Sequence, residues 1–175
     1  MAVSCVLLQI GDDPFNTRFE DLEGRTAFTL CVPLPIRTPN ALVQLRRETP
    51  WTLQHRDIMG PSAAFFYFGP ANMPGYIVYG NTPSQPMTTA LRKKRGSSGS
   101  RFFTSQSGRQ LKWKLSAHRM ECVDGKQLMA VYEPGHQNEH ATALLTIKQP
   151  GLAVVTEILT TLMLIRMSAE LHWAA

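Results

Sequence analysis

Cysteine is scarce in this chain, and its scarcity excludes two classes of protein. The three cysteines, Cys5, Cys31 and Cys122, are odd in number and far apart in the sequence. A disulfide framework needs an even set of cysteines, and a cysteine-based zinc site needs closely spaced pairs. We therefore expect buried free thiols in a reducing compartment. We predict no structural metal and no cofactor.

The chain also has no internal repeat and no recognisable catalytic motif. Charged residues make up only 18% of it and hydrophobic residues 43%, which is typical of a folded domain with a core and not of a disordered chain. At 175 residues it is long enough for one domain. The net charge of +5 allows attraction to phosphate groups, either of nucleic acid or of anionic lipid, without deciding between them.

Long apolar runs are missing as well, except for one between residues 152 and 165. This run is shorter than the roughly 20 residues that cross a bilayer. It contains Glu157 and is followed by Arg166, and a carboxylate at mid-membrane is costly. We predict a buried core helix and no transmembrane span. The first ten residues have no basic start, so they are predicted as a strand and not as a signal peptide.

Proline is abundant in the first half, where nine prolines interrupt the chain at short intervals between residues 33 and 86. Each proline removes a backbone donor and favours an extended residue before it, so long helices are not expected before residue 90. The segments between these breaks are rich in β-branched and aromatic residues, which predicts short strands. The predicted strands cover residues 3–10, 26–32, 42–46, 63–68 and 76–79.

The second half begins with a basic loop rich in glycine and serine at residues 91–100. After it, apolar and basic residues alternate from Leu111 to Leu115, which places Lys112 and Lys114 on one face of a strand. Asp124-Gly125 is a strong hairpin-turn pair between strands predicted at 120–123 and 128–132. A last strand is predicted at 143–147. The following segment has helical periodicity but is apolar nearly all round, as in a helix buried on every side.

The most specific pattern lies between residues 101 and 165. It combines a Gly-Arg-Gln-Leu-Lys-Trp-Lys strand, a strand with Glu and Asp, a strand with Ala and Tyr, and a hydrophobic helix at the end. This arrangement resembles a fungal family of uncharacterised domain proteins. The matching residues are Gly108, Arg109, Lys112, Trp113, Lys114, Glu121, Asp124, Ala130, Tyr132 and the segment 152–165. The segments 16–22 and 25–30 and the upstream segment 102–104 also look similar to early strands of that family.

That family in turn looks like the superfamily of tubby C-terminal domains, LURP-one-related proteins and phospholipid scramblases. The resemblance implies a mostly β fold, an antiparallel barrel around a central hydrophobic helix at about 152–167, with residues 1–175 forming a single tubby-like domain. An α+β arrangement is the alternative. The resemblance also implies binding of phosphoinositides or other membrane lipids by a basic surface.

Basic residues are the main candidates for such binding. Arg92, Lys93, Lys94 and Arg95 form the one dense run of charge, and each cation near anionic lipid contributes about 1 kcal/mol. A solvated loop that protects a strand edge is the plainer interpretation of this run. Further cations extend the patch if the hairpin that follows lies beside it. These are Arg101, Arg109, Lys112 and Lys114.

Acid–base candidates are weaker. Glu157 in the apolar helix is either a first-turn carboxylate favoured by the helix dipole or a perturbed acid in a cavity. His118 and Cys122 are a possible base and nucleophile, but they are four residues apart. On a strand this spacing separates them by about 13 Å, which is too far for a direct hydrogen bond. His136 and His140 lie in a polar loop without a third ligand, so no metal is predicted there.

The sequence as a whole predicts a cytoplasmic, non-catalytic module that binds lipid or another ligand and can associate with an anionic membrane or phosphoinositide. Binding of nucleic acid is not favoured, and the oligomeric state is left open. One alternative is a small-molecule enzyme whose pocket is lined by the aromatic residues at 65–68 together with Tyr76 and Tyr79, with Glu157 or a histidine as acid or base. The other is a protein-interaction module that uses a strand edge.

Overall fold

Antiparallel strands dominate the computed structural model, which describes residues 4–32, 42–94, 99–135 and 140–173. Twelve strands are present in these ranges. The first seven are β1 (Cys5–Ile10), β2 (Thr17–Asp21), β3 (Thr26–Cys31), β4 (Leu42–Arg47), β5 (Ala63–Tyr67), β6 (Tyr76–Tyr79) and β7 (Gln85–Pro86). The others are β8 (Ser100–Thr104), β9 (Gln110–Lys114), β10 (Met120–Asp124), β11 (Gln127–Pro134) and β12 (Ala143–Ile147).

Helices occupy less of the described chain. Two single-turn helices, α1 (Thr49–Thr52) and α2 (Met87–Ala90), lie between strands, and a short 3-10 turn covers Pro70–Asn72. The long helix α3 (Val155–Glu170) follows the last strand and is entered through a 3-10 segment, Gln149–Val154. Gly151 is required in this segment because a Cβ there would lie 2.4 Å from the Met129 carbonyl oxygen.

The strands form one sheet in the order β7-β6-β5-β4-β3-β2-β1-β12-β11-β10-β9-β8. Every neighbouring pair is antiparallel, and β1 joins the two halves by pairing with both β2 and β12. The two ends of this order are linked by α2 and by one isolated bridge between Arg92 and Phe102. The sheet therefore curls round until its ends approach each other, and this junction is called the seam below.

Alternation of side chains explains why the sheet encloses a core. Along β12, alternate residues Ala143, Leu145 and Ile147 are buried, and along β9 Leu111 and Trp113 are buried while their neighbours are not. Because successive side chains of a strand point to opposite faces, each strand contributes one apolar face to the interior.

Helix α3 fills that interior. Its residues from Val155 to Ile165 are all buried, and so is Met167. Apolar residues on every side of the helix meet the inner face of the sheet, so no single apolar stripe is needed. Within the described residues, one segment, Gln149–Glu170, is long and apolar enough to cross a membrane, with a mean hydropathy of 1.6, but 72% of its apolar window is buried in the protein. This burial is that of a core helix.

The predicted mostly β fold with one C-terminal hydrophobic helix is confirmed. Strands predicted on either side of the basic loop match β1, β3, β4, β5 and β6, and β8 to β12. Gly125 has φ +59°, as the predicted hairpin turn requires. The short elements β7, α1 and α2 were not anticipated, because single-turn elements leave no periodic pattern.

Replacing Leu159 by alanine tests the role of α3 as the core. Leu159 is fully buried, so the change removes packed methyl groups and leaves a cavity. We expect the free energy of unfolding, measured in urea, to fall by about 2–5 kcal/mol. The control is Leu22→Ala, because Leu22 is 70% exposed and the same truncation there leaves no cavity. Equal losses for the two variants would contradict the enclosed position of the helix.

Candidate functional site

A partly enclosed cleft opens where the C-terminal half of α3 meets the seam. Its volume is about 460 Å³. The apolar part of its wall comes from α2, from the residues that follow α2 and β9, and from the C-terminal half of α3 with the residues after it. It includes Met87, Leu91, Leu115, Leu164, Ile165 and Trp173. The polar part consists of Thr88, Ser168, Lys93 and Arg101. Among the described residues, the wall thus combines an apolar majority with two cations and includes no acidic side chain.

The seam register explains how these two cations reach the cleft. Arg92 and Phe102 exchange both backbone hydrogen bonds, each 2.7 Å long. In an antiparallel register, Lys93 then lies opposite Arg101, one residue further along. Because alternate residues face opposite sides, Arg101 shares the inward face of β8 with the buried Phe103. Lys93 and Arg101 are accordingly the two basic residues, among those described, that line the cleft.

The same alternation sends other predicted cations to the outside of the sheet. Lys94 Nζ lies 4.3 Å from the centre of the Phe102 ring, and Lys112 Nζ lies 5.8 Å from it. Arg92 donates to the Thr104 hydroxyl at 3.3 Å, and Lys114 is exposed on β9. We call these four cations, Arg92, Lys94, Lys112 and Lys114, which lie on the same outer face of the sheet as Phe102, the basic face.

The predicted basic patch is therefore distributed over three places. Four cations form the basic face, two line the cleft behind it, and Arg109 lies in the β8–β9 turn, where it forms an ion pair with Asp124. Arg95 falls outside the described residues. The sequence predicted one patch because it does not show that residues 92–94 pair with β8. That pairing makes the side chains of residues 92–94 alternate between the two faces of the sheet.

Glu157 lies at the other end of the interior, near the start of α3. It is 2% exposed. Its Oε2 accepts a hydrogen bond of 3.2 Å from the Gln106 N–H in the β8–β9 turn, and its Oε1 has no hydrogen-bond partner among the described residues. Burial raises the pKa of this carboxyl above its ordinary value, and the Gln106 N–H and the Arg47 charge oppose the shift only in part.

Arg47 links the sheet to the same end of α3. Its guanidinium donates to the Thr156 hydroxyl and to the Pro61 carbonyl, each at 3.0 Å. Burial lowers the pKa of Arg47, and the nearby Glu157 charge opposes that shift. Nothing in the sequence distinguishes Arg47, because an arginine at the end of a strand is usually solvated. Its hydrogen bonds to α3 and to the segment after α1 are long-range contacts.

Threonines continue the polar cluster along α3. Trp113 Nε1 donates to the Thr161 hydroxyl at 2.8 Å, and that hydroxyl in turn donates to the Glu157 carbonyl. Burial and the Glu157 charge raise the pKa of Tyr79 nearby. Glu157 precedes Leu164 by seven residues, which is about 10 Å along the helix axis. Glu157 is thus not part of the cleft wall, and its contacts join α3 to the surrounding turns.

The other reactive candidates are not brought together. His118 is exposed in the β9–β10 turn, whereas Cys122 is buried on the inner face of β10. Burial, with a smaller contribution from the Asp124 charge, raises the pKa of the Cys122 thiol. His136 lies outside the described residues. Within the part of the chain that the structure describes, no group of three or more potential metal ligands is found.

The aromatic residues predicted to line a pocket behave in two ways. Phe66 and Phe68 are buried in the core, whereas Tyr67 is exposed and its ring lies 6.3 Å from that of Phe65. None of these four residues lines the cleft, and neither does Tyr76 or Tyr79; the aromatic contribution there comes from Trp173. Trp173 could not be predicted as a cleft residue from the sequence, because an aromatic residue just after a helix gives no sign of what it covers.

Comparison with known proteins identifies a family but no activity. A model described as a family of unknown function, DUF6593, matches residues 12–169. The chain belongs to this family. A solved structure of a protein from Arabidopsis thaliana is similar with a TM-score of 0.38 and 11% identity, over 92% of this chain and 88% of that one. No curated protein matches.

Replacing Glu157 by glutamine tests the buried carboxyl. A carboxyl whose pKa is raised by folding binds protons more tightly in the folded state, so the wild-type protein loses stability as pH rises from the ordinary glutamate pKa through the raised one. Glutamine does not ionise and escapes this loss. We therefore expect Glu157→Gln to become more stable relative to wild type on going from about pH 4 to about pH 8.

The measurement is the free energy of unfolding in urea at both pH values, compared between the two proteins. Glu170→Gln, which alters an exposed carboxylate on the same helix, is the matched control. If the difference between Glu157→Gln and wild type stays constant or reverses with pH, the raised pKa of Glu157 is wrong.

Proposed function

We propose that this protein is a non-catalytic module that binds anionic phospholipid head groups through its basic face. The observation that carries the proposal is the placement of four cations on the outer face of the seam. Lys94 and Lys112 lie over the Phe102 ring, Arg92 is bridged to Phe102 through the backbone, and Lys114 pairs with Ser100 on the same face. Two separate segments of the chain, the residues before the loop and strand β9, contribute these cations.

Electrostatics gives this arrangement its affinity for a membrane. Each cation close to an anionic membrane contributes about 1 kcal/mol, and lysine and arginine then hydrogen bond to phosphate oxygens. Phe102 adds a half-buried aromatic ring at the centre of the face, of the kind that lies well at a membrane interface. Such binding is peripheral, and it suits a cytoplasmic protein that associates reversibly with an anionic leaflet.

The sequence resemblance supports the same proposal. Tubby-like and scramblase-like domains are the superfamily that the pattern between residues 101 and 165 resembles, and that superfamily implies binding of phosphoinositides or other membrane lipids. We propose membership of this superfamily and a preference for phosphoinositides on that ground. An enzyme built around Glu157 is less well supported, because Glu157 does not line the cleft.

Neutralising the basic face tests the proposal. The variant Lys112→Gln/Lys114→Gln removes two outward cations and leaves the buried face of β9 intact. We expect its binding to vesicles containing phosphoinositide to weaken by roughly 2 kcal/mol, or about thirtyfold in the partition coefficient. The measurement is co-sedimentation with the vesicles. Raising the salt from about 0.1 M to about 1 M should also weaken wild-type binding, because charges are screened over shorter distances.

The matched control is Arg56→Gln/Lys126→Gln, which removes the same amount of charge from exposed residues away from the basic face. Arg56 follows α1 and Lys126 lies in the β10–β11 turn. Vesicles of neutral lipid alone form the second control. Equal weakening in both double variants would show that net charge, and not the basic face, drives the association. Failure of the wild-type protein to sediment with anionic vesicles would overturn the proposed function.

A further inference from the structure

We infer that the cleft at the seam binds a single-chain lipid phosphate of the lysophosphatidic acid type, with its acyl chain along α3 and its phosphate between Lys93 and Arg101. This inference deepens the proposed function and rests on it for the choice of a phospholipid anion. The basic face lies on the outer side of the seam and the cleft on its inner side. The basic face is thus a surface for head groups, whereas the cleft is a pocket.

The size and lining of the cleft favour one acyl chain. Its volume of about 460 Å³ falls within the range of roughly 300–1,000 Å³ that is usual for small-molecule sites. Leu91, Leu115, Leu164 and Ile165 give it an aliphatic wall, and Trp173 adds an aromatic side. A wall of this kind stabilises methylene groups by removing them from water. A lipid with two chains is much larger than a ligand of this class.

The charges of the cleft select the head group. Lys93 and Arg101 line it, and none of the described residues in its wall is acidic. A phosphate monoester carries a charge of about −1.5 to −2 near neutral pH, which two cations balance. A zwitterionic head group such as phosphocholine would place its own cation beside Lys93 and Arg101, and the like charges would repel each other. The charge of the site therefore complements a phosphate monoester better than a choline phospholipid.

The register also sets the spacing of the two cations. Residues directly opposite each other on antiparallel strands have Cα atoms about 4.5–5.5 Å apart, so Lys93 and Arg101 extend from neighbouring positions. Arg101 Nη1 donates to the Ser100 carbonyl at 3.0 Å, which orients the guanidinium. Arginine has five N–H donors, so others remain for a phosphate oxygen. The hydroxyls of Thr88 and Ser168 are further polar groups in the wall.

The test is direct binding of soluble monoacyl lipids to the full chain, measured by titration calorimetry below their micelle concentrations. The probes are lauroyl and myristoyl lysophosphatidic acid, with lauroyl lysophosphatidylcholine as the zwitterionic comparison. We expect the myristoyl phosphate to bind about tenfold more tightly than the lauroyl one, since it buries two more methylenes. We expect lysophosphatidylcholine to bind at least tenfold more weakly than the matching phosphate.

Two variants separate the chain pocket from the charge site. Ala169→Trp adds bulk at a wall position on α3 that is exposed to solvent, so it should fill the cleft and abolish binding of both lipids. Leu53→Trp adds an indole at an exposed position that does not line the cleft, and it should bind as wild type does. Lys93→Gln/Arg101→Gln should bring the affinity for the phosphate down to that for the choline lipid. Circular dichroism confirms that each variant is folded.

Equal affinity for the phosphate and choline lipids would overturn the assignment of Lys93 and Arg101. Binding that does not depend on chain length, or that survives Ala169→Trp, would overturn the chain pocket. These outcomes are distinct from failure of the proposed function. A protein that binds anionic vesicles but no monoacyl lipid refutes the cleft inference alone. A protein that binds the monoacyl phosphate but no vesicles supports the cleft and refutes the basic-face proposal.

Discussion

Burial of α3 inside the curled sheet is the constraint on which the rest of the structure depends. The helix is apolar on nearly every side, so water is an unfavourable environment for it whichever way it turns. The sheet needs the helix equally, because the inward side chains of its strands would otherwise surround a void. Neither layer is stable alone, and the positions of the cleft and the polar cluster follow from how they meet.

Polar contacts then fix the helix along its axis. Hydrophobic contacts are not directional, so apolar packing alone does little to prevent α3 from sliding or rotating inside the sheet. Arg47, the Gln106 backbone and Trp113 each hold the first two turns of α3 through a directional hydrogen bond. Burying the Glu157 carboxyl destabilises the fold. We interpret its role as specifying one unique position of the helix.

The sequence predicted the strands and the helix well because both leave periodic patterns. Leu111, Trp113 and Leu115 alternate with lysines, and the run after Gly151 changes period to that of a helix. Alternation also indicated that Lys112 and Lys114 face one way. What could not be predicted was the seam, since the pairing of Arg92 with Phe102 brings together residues on either side of a loop without any regular signal. The split between Lys93 and its neighbours depends on that pairing.

The order of elements along the chain has a consequence for the synthesis of this protein. All twelve described strands precede α3, so the sheet leaves the ribosome before the segment that fills it. Strand β1 pairs with β12, so the two halves of the sheet can join only after β12 has been synthesised. Contacts between such distant parts of a chain form slowly, and strand edges are exposed in the meantime. Until α3 emerges, the apolar inner face of the sheet has no partner, which favours aggregation of the nascent chain.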